Sequence, residues 1–198
     1  MIGYNGTLPQ AASHLAELKT GFAANTINSE IRLETTDRDE LTSKLDGAAV
    51  DLVYLFCHAR GGRADPSIIP ARLELQGQTD PGPGFISATA LRGLSWSHRP
   101  LVFFNGCNTA IFSPDALSPF IEAVVRDSKA SGAIGTEIPV FQELAAEVAK
   151  LFMARFLNGK SAGEALLEIR MEMLSRLNPL GLAYTLYAFN ELSVVQSN

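Results

Sequence analysis

The sequence predicts an α/β fold whose central sheet is mostly parallel, flanked by helices and extended by some antiparallel strands. Three observations carry this. Two short runs, Val50 to Cys57 (VDLVYLFC) and Leu101 to Phe104 (LVFF), are almost wholly apolar and rich in β-branched and aromatic residues. Strands buried on both faces read that way, as in a parallel sheet. Amphipathic helical stretches alternate with these runs, which is the βαβ pattern of such folds. Finally, 198 residues at 46% hydrophobic and 19% charged make one globular domain, 1–198, with a chain long enough to bury a full core without disulfide staples.

Pro9 to Lys19 places Ala11, Ala12, Leu15 and Leu18 at helical spacing; His14 on this helix is assigned to solvent. Glu30 to Thr35 alternates polar and apolar, as a half-exposed strand does. Asp37 and Glu40 form a capping-box pattern for a helix whose inner face is Leu41 and Leu45 and which Gly47 ends. Beyond the first apolar strand, Arg72 to Leu75 is expected to pair with Gly84 to Ile86 across the Gly/Pro turn at 79–84, and Ser87 to Leu94 forms a short helix. Ser113 and Pro114 start a helix through Phe120, Ile121, Val124 and Val125. Ala133 and Ile134 mark a third strand. Phe141 to Leu157 carries an apolar stripe of Leu144, Val148, Leu151, Phe152 and Phe156. Ser161 and Glu164 make a capping box for the last helix, with Leu166, Ile169, Met173 and Leu177 turned inward, and Tyr184 to Val195 closes the sheet.

Composition excludes several classes. A net charge of −5 argues against nucleic acid as the direct partner. No run of eighteen apolar residues exists to span a membrane, and the N-terminus lacks the basic and apolar regions of a signal peptide. Two cysteines are too few for a disulfide framework, and no His/Cys/Asp spacing fits a metal site, so no metal and no cofactor are expected. The expected setting is the reducing cytoplasm. Neither a phosphate-binding loop nor a dinucleotide fingerprint is present.

Ligands of open parallel sheets bind beyond the carboxyl ends of the strands. His58 comes directly after the first apolar run, and Cys107 comes after Asn105-Gly106 at the end of the second. Neighbouring strands lie about 4.8 Å apart, so the two side chains can face one gap. A thiolate attacks carbonyls, and an imidazole takes the thiol proton and returns it to the leaving amine. Backbone N–H groups near Ala59, Arg60 and Cys107 are candidate oxyanion donors. Cys57, adjacent to His58 in an alternating strand, faces the opposite side and is read as core. Asn105 is read as holding the loop by hydrogen bonds, Trp96 as packing, and His98 as solvated. Arg60, Asn108, Glu137 and Asp65 are charged or polar groups near the rim that could line a pocket.

FCHARGG at 56–62 and LVFFNGCNTA at 101–110 resemble the His and Cys motifs of CHAT domains, caspase-like cysteine peptidases of clan CD. Gly132 to Thr136, Ile138 to Val140, Gly159 to Ser161, Glu164 to Leu166 with Arg170, and the closing strand are similar to the family's C-terminal half, so the resemblance runs from about residue 30 to the end. It implies a caspase-like three-layer sandwich, His58 as general base and acid, Cys107 as nucleophile, and oxyanion donors from the backbone at Ala59 and Cys107. Two departures stand out: Ala59 replaces the Gly that often comes after the His, and Asn108 replaces an acid that often comes after the Cys. Arg60, Asn108 and Glu137 remain the substrate-pocket candidates. The function this implies is a thiol protease, a bacterial cytoplasmic hydrolase that cleaves a specific protein. Its activity would be regulated by a partner or sensor domain such as a TPR-containing region, in prokaryotic defence or cell death. The alternatives are a non-catalytic interaction module on the same fold and a small-molecule amidase or thioesterase.

Overall fold

A computed structural model describes residues 1–24, 29–60, 71–75, 84–107, 109–110 and 118–194. In its central sheet, β1 (Ile2–Tyr4), β2 (Glu34–Thr35), β3 (Leu52–Phe56), β7 (Leu101–Asn105) and β8 (Gly132–Thr136) run parallel, and β9 (Tyr184–Tyr187) closes the sheet antiparallel to β8. The six strands lie in the order β2-β1-β3-β7-β8-β9. A second, antiparallel sheet contains β4 (His58–Arg60), β5 (Arg72–Glu74) and β6 (Phe85–Ser87). This is the α/β arrangement expected from the sequence and the three-layer form that the family resemblance implies, and β5 pairs with β6 as expected.

Alternation along the strands divides the core in two. Tyr54, Phe56, Phe103 and Ile134 face α1 (Ala11–Ala24), α5 (Gln142–Phe156) and α6 (Ala162–Ser175), meeting Leu15, Leu18, Val148, Phe152 and Ile169. Val53, Leu55, Cys57, Val102 and Phe104 face the other side, against Leu41 and Leu45 of α2 (Arg38–Leu45), Leu91 of α3 (Ala88–Arg92), the Phe120–Val124 segment and the second sheet. Both faces of β3 and β7 are therefore dry, which is why their sequences lack alternation. Phe103 has no exposed surface and stacks edge-on against Tyr54, Phe152 and Tyr184 at centroid distances of 5.4–6.0 Å.

Several local expectations are corrected. β1 is not predicted; three residues, Ile2–Tyr4, are too few to show a period, yet they pair on both sides. The strand expected over Glu30 to Thr35 pairs only at Glu34–Thr35, and the closing strand ends at Tyr187. α1 starts at Ala11, and His14 is buried, because it shares the Ala11–Leu15–Leu18 stripe that turns inward. At α2, the Asp37 side chain accepts from the Glu40 N–H, but the Glu40 carboxylate takes the Thr35 hydroxyl, so only half the box forms. The box of Ser161 and Glu164 is complete. Leu177 is 91% exposed: α6 ends at Ser175, and Leu177 sits beyond its C-cap at φ 60°, turned away from the core. The expected helix start at Ser113 and Pro114, the turn at 79–83 and Asp65 lie outside the described residues. The helix through Phe120 and Ile121, α4, begins at Pro119, later than the sequence suggests, with Ser118 as its N-cap, and winds on as a π-helix over Glu122–Asp127.

Replacing Phe103 by Ala should cost about 3–5 kcal/mol, the range for emptying a closed aromatic site. Urea unfolding monitored by circular dichroism measures it; a loss below about 1 kcal/mol would contradict the central place given to this ring.

Candidate active site

β3 and β7 pair in parallel with Phe56 opposite Asn105. His58 and Cys107 each lie two residues past that last paired position, so the register brings them to the same rim. Both line a cavity of about 300 Å³, together with Leu8, Pro9, Gly106, Val140, Phe141, Gln142 and Glu143. A larger cavity of about 580 Å³ opens at the other end of β3, around Arg32, Asp51 and Leu52; no cysteine or histidine lines it.

The chain holds the Cys107 turn tightly. Gly106 is required, since a Cβ there would stand 2.5 Å from the Cys57 carbonyl oxygen. The Gly106 carbonyl accepts from the Thr109 hydroxyl at 3.2 Å and the Thr136 hydroxyl at 2.5 Å, while Thr136 N–H donates to Thr109 Oγ1 at 3.0 Å. Ala110 N–H donates to the Thr136 carbonyl at 2.9 Å. Two threonines thus tie the turn after β7 to the end of β8. The Cys107 thiol donates to the Val140 carbonyl at 3.6 Å.

A buried polar chain lies behind the turn. Tyr184 donates to Asn105 Oδ1 at 2.8 Å; Asn105 Nδ2 donates to Tyr54 Oη at 2.7 Å and to the Ala145 carbonyl at 2.8 Å; Tyr54 Oη and His14 Nε2 are 2.7 Å apart. Asn105 already donates to Tyr54, so the Tyr54 hydroxyl hydrogen goes to His14, whose Nε2 accepts. The imidazole is neutral with its proton on Nδ1, and that atom has no partner among the described residues. Burial, with a smaller push from Lys150 that is opposed by the pull of Glu17, lowers the His14 pKa to about 4. Burial also drives Tyr54, Tyr184 and Cys57 well above their ordinary values. Asn105 therefore clamps β7 to β3, to β9 and to the first turns of α5, whose Val140 to Glu143 approach forms the far wall of the cavity.

α5 begins at Gln142 with Phe141 as N-cap and no side-chain capping bond. The positive end of its dipole borders the cavity and favours negative charge developing there.

Of the residues singled out from the sequence, His58 and Cys107 share the cavity. Ala59 lies beside His58 on β4, its side chain against the second core cluster. Cys57 is buried on the opposite face, as its place in the strand predicts. Arg60 points along the second sheet and pairs with Glu74. Glu137 is exposed and accepts from the Thr185 hydroxyl at 2.6 Å; it does not line the cavity. Asn108 lies outside the described residues. His98 is exposed beside Asp51, and Trp96 packs against the second core cluster. Sequence reasoning misses His14, Tyr54 and Tyr184. Their signal is present all the same: polar tips inside otherwise apolar elements require partners when buried. Among the described residues no group of three metal-ligating side chains forms, and no helix is long and apolar enough to cross a membrane.

The CHAT domain family model matches residues 3–183, and the chain belongs to that family of caspase-like peptidases. The match begins at β1, earlier than the residue 30 inferred from motifs. A probable protease from a Vitiosangium species is 35% identical over 148 residues, covering 71% of this chain and 18% of the relative. The chain thus spans under a fifth of that relative's length.

The buried polar chain generates two expected outcomes. Asn105→Asp keeps the shape but turns two donors into acceptors facing Tyr54 and the Ala145 carbonyl. It should lower stability by about 3 kcal/mol, read by urea unfolding, and slow alkylation of Cys107. For His14 the folded pKa of about 4 lies below the ordinary value near 6.5, so the unfolded chain binds the extra proton in that window. Its stabilisation is complete above about pH 6.5 and is lost as pH falls toward 4, on the order of 3 kcal/mol in all. His14→Gln, which cannot titrate, should flatten that part of the pH–stability curve; an unchanged curve would show that folding does not shift the His14 pKa.

Proposed function

We propose that the chain is a cysteine endopeptidase in which Cys107 is the nucleophile and His58 the general base and acid. The observation that supports this most strongly is the matched exit of His58 and Cys107 from paired strands into one cavity. The thiol proton passes to His58, and Cys107 sulfur bonds to the substrate's carbonyl carbon, leaving an oxyanion that backbone N–H groups at Ala59 and Cys107 stabilise. Collapse breaks the C–N bond, and His58 gives the proton to the departing amine. Water then attacks the thioester while His58 takes a proton from it; collapse breaks the C–S bond and releases the acid, and His58 returns the proton to the Cys107 sulfur.

The substrate is a specific protein, and cleavage is switched by a partner or an adjoining region such as a TPR-containing one, in a bacterial defence or cell-death role. The 18% coverage of the Vitiosangium relative is consistent with a domain that works beside others. The Cys107 contact to Val140 supports a second reading, a CHAT-fold interaction module whose thiol is idle.

A peptidyl electrophile, with adducts mapped by mass spectrometry, separates the two. The peptidase reading expects labelling at Cys107 that falls by about 100-fold in His58→Ala, the scale of general-base assistance, while buried Cys57 stays unlabelled. Labelling indifferent to His58 favours the module.

A further inference from the structure

His58 opens β4, and the register of the second sheet fixes what stands beside it. His58 is opposite Glu74 and Arg60 is opposite Arg72; Arg72 is opposite Ser87 and Glu74 opposite Phe85. Directly opposed residues share a face, and alternate residues of a strand return to it. One face therefore carries His58, Arg60, Arg72, Glu74 and Phe85. The other sends Leu73 and Ile86, both fully buried, into the core.

On the His58 face one carboxylate serves two guanidiniums. Arg60 Nε donates to Glu74 Oε2 at 3.0 Å and Arg72 Nη2 to Glu74 Oε1 at 3.2 Å. The Glu74 side chain is 11% exposed, whereas the arginine side chains are 49% and 39% exposed. Both carboxylate oxygens are engaged, so one positive charge of the pair has no counter-charge among the described residues. Arg60 uses Nε alone for Glu74, and Arg72 lies 5.4 Å from the Phe85 ring centre; among the described residues the donors of the Arg60 Nη groups are free and the buried Arg72 Nε has no partner. Glu74 itself is anchored, its carbonyl accepting from Asn5 Nδ2 at 3.0 Å. The forks are thus held before any ligand arrives, and planar guanidinium donors match a carboxylate.

We propose that Arg60 and Arg72 form a subsite for an acidic side chain of the peptide bound at the active site, so the enzyme selects substrates with Asp or Glu near the cleaved bond. This rests on the peptidase reading. Arg60 stands two strand residues beyond His58, about 6.6 Å along β4, so the selected acid lies within about two residues of the attacked carbonyl in an extended peptide.

The test uses Cys107→Ala protein, which binds without cutting, and fluorescent peptides of one neutral sequence. Glu, Gln or Lys is placed in turn at each position up to three from the centre. Anisotropy should show, at one position, Glu bound about tenfold more tightly than Gln and Lys more weakly than both. That gap should shrink in about 0.3 M salt and vanish when Arg60→Gln and Arg72→Gln are combined. Arg60→Lys with Arg72→Lys should keep part of it, and an unchanged circular dichroism spectrum confirms that each variant is folded. Equal binding of Glu and Gln peptides everywhere, a preference that survives the double Gln variant, or no peptide binding overturns the proposal. Electrophile labelling of unmutated protein is read separately: acid selection without His58-dependent labelling leaves the subsite standing and removes the peptidase, and labelling without acid selection does the reverse.

Discussion

The parallel pairing of β3 with β7 is the constraint on which the rest depends. One residue of slip would turn every side chain of a strand to the other face. It would put Tyr54 and Phe56 where Val53 and Leu55 now pack, and it would separate His58 from Cys107. Burial on both faces fixes the register: Tyr54, Phe56 and Phe103 fill the α5 side, and Val53, Leu55, Val102 and Phe104 the side of α2 and the second sheet. The position of the candidate site is thus a by-product of core packing, and His58 and Cys107 lie among the first residues beyond it.

Directly beneath that site the core is polar. Asn105, Tyr54, Tyr184 and His14 would each be costly to bury alone, since an unpaired buried polar group costs about 1–3 kcal/mol. Joined, they satisfy one another apart from His14 Nδ1, and they tie four elements and the start of α5 to a point two residues before Cys107. An apolar core would hold the strands together equally well. The hydrogen bonds add direction, because an amide with both donors engaged has one orientation.

Much of this is legible in the sequence because the strands that matter are extreme. The length and the β-branched and aromatic content of VDLVYLFC and LVFF favour buried strands, and the residues just beyond their carboxyl ends, His58 and Cys107 included, are then placed on the rim directly. The β5–β6 pairing is legible because two short strand-like runs flank a Gly/Pro segment. β1 is not, because three residues carry no period and its stability comes from neighbours on both sides. His14 is misplaced when residue type is weighed above spacing: positions 11, 14, 15 and 18 form one helical stripe whatever occupies them. Leu177 fails in the opposite way, since an apolar residue in phase with a helix is not buried once the helix has stopped. The face shared by Arg60, Arg72 and Glu74 needs the register of the second sheet, which a sequence separation of 14 between Arg60 and Glu74 does not disclose.

The central claim is that a covalent bond to Cys107 lies on the reaction path and that His58 moves the protons on both sides of it. Intact-protein mass spectrometry during reaction with an activated peptide ester tests this most directly. The account predicts a transient adduct of the acyl group's mass on Cys107, cleared quickly in the unmutated protein and long-lived in His58→Ala, where no base activates the water. An adduct on another residue, or one that clears at the same rate without His58, would contradict it.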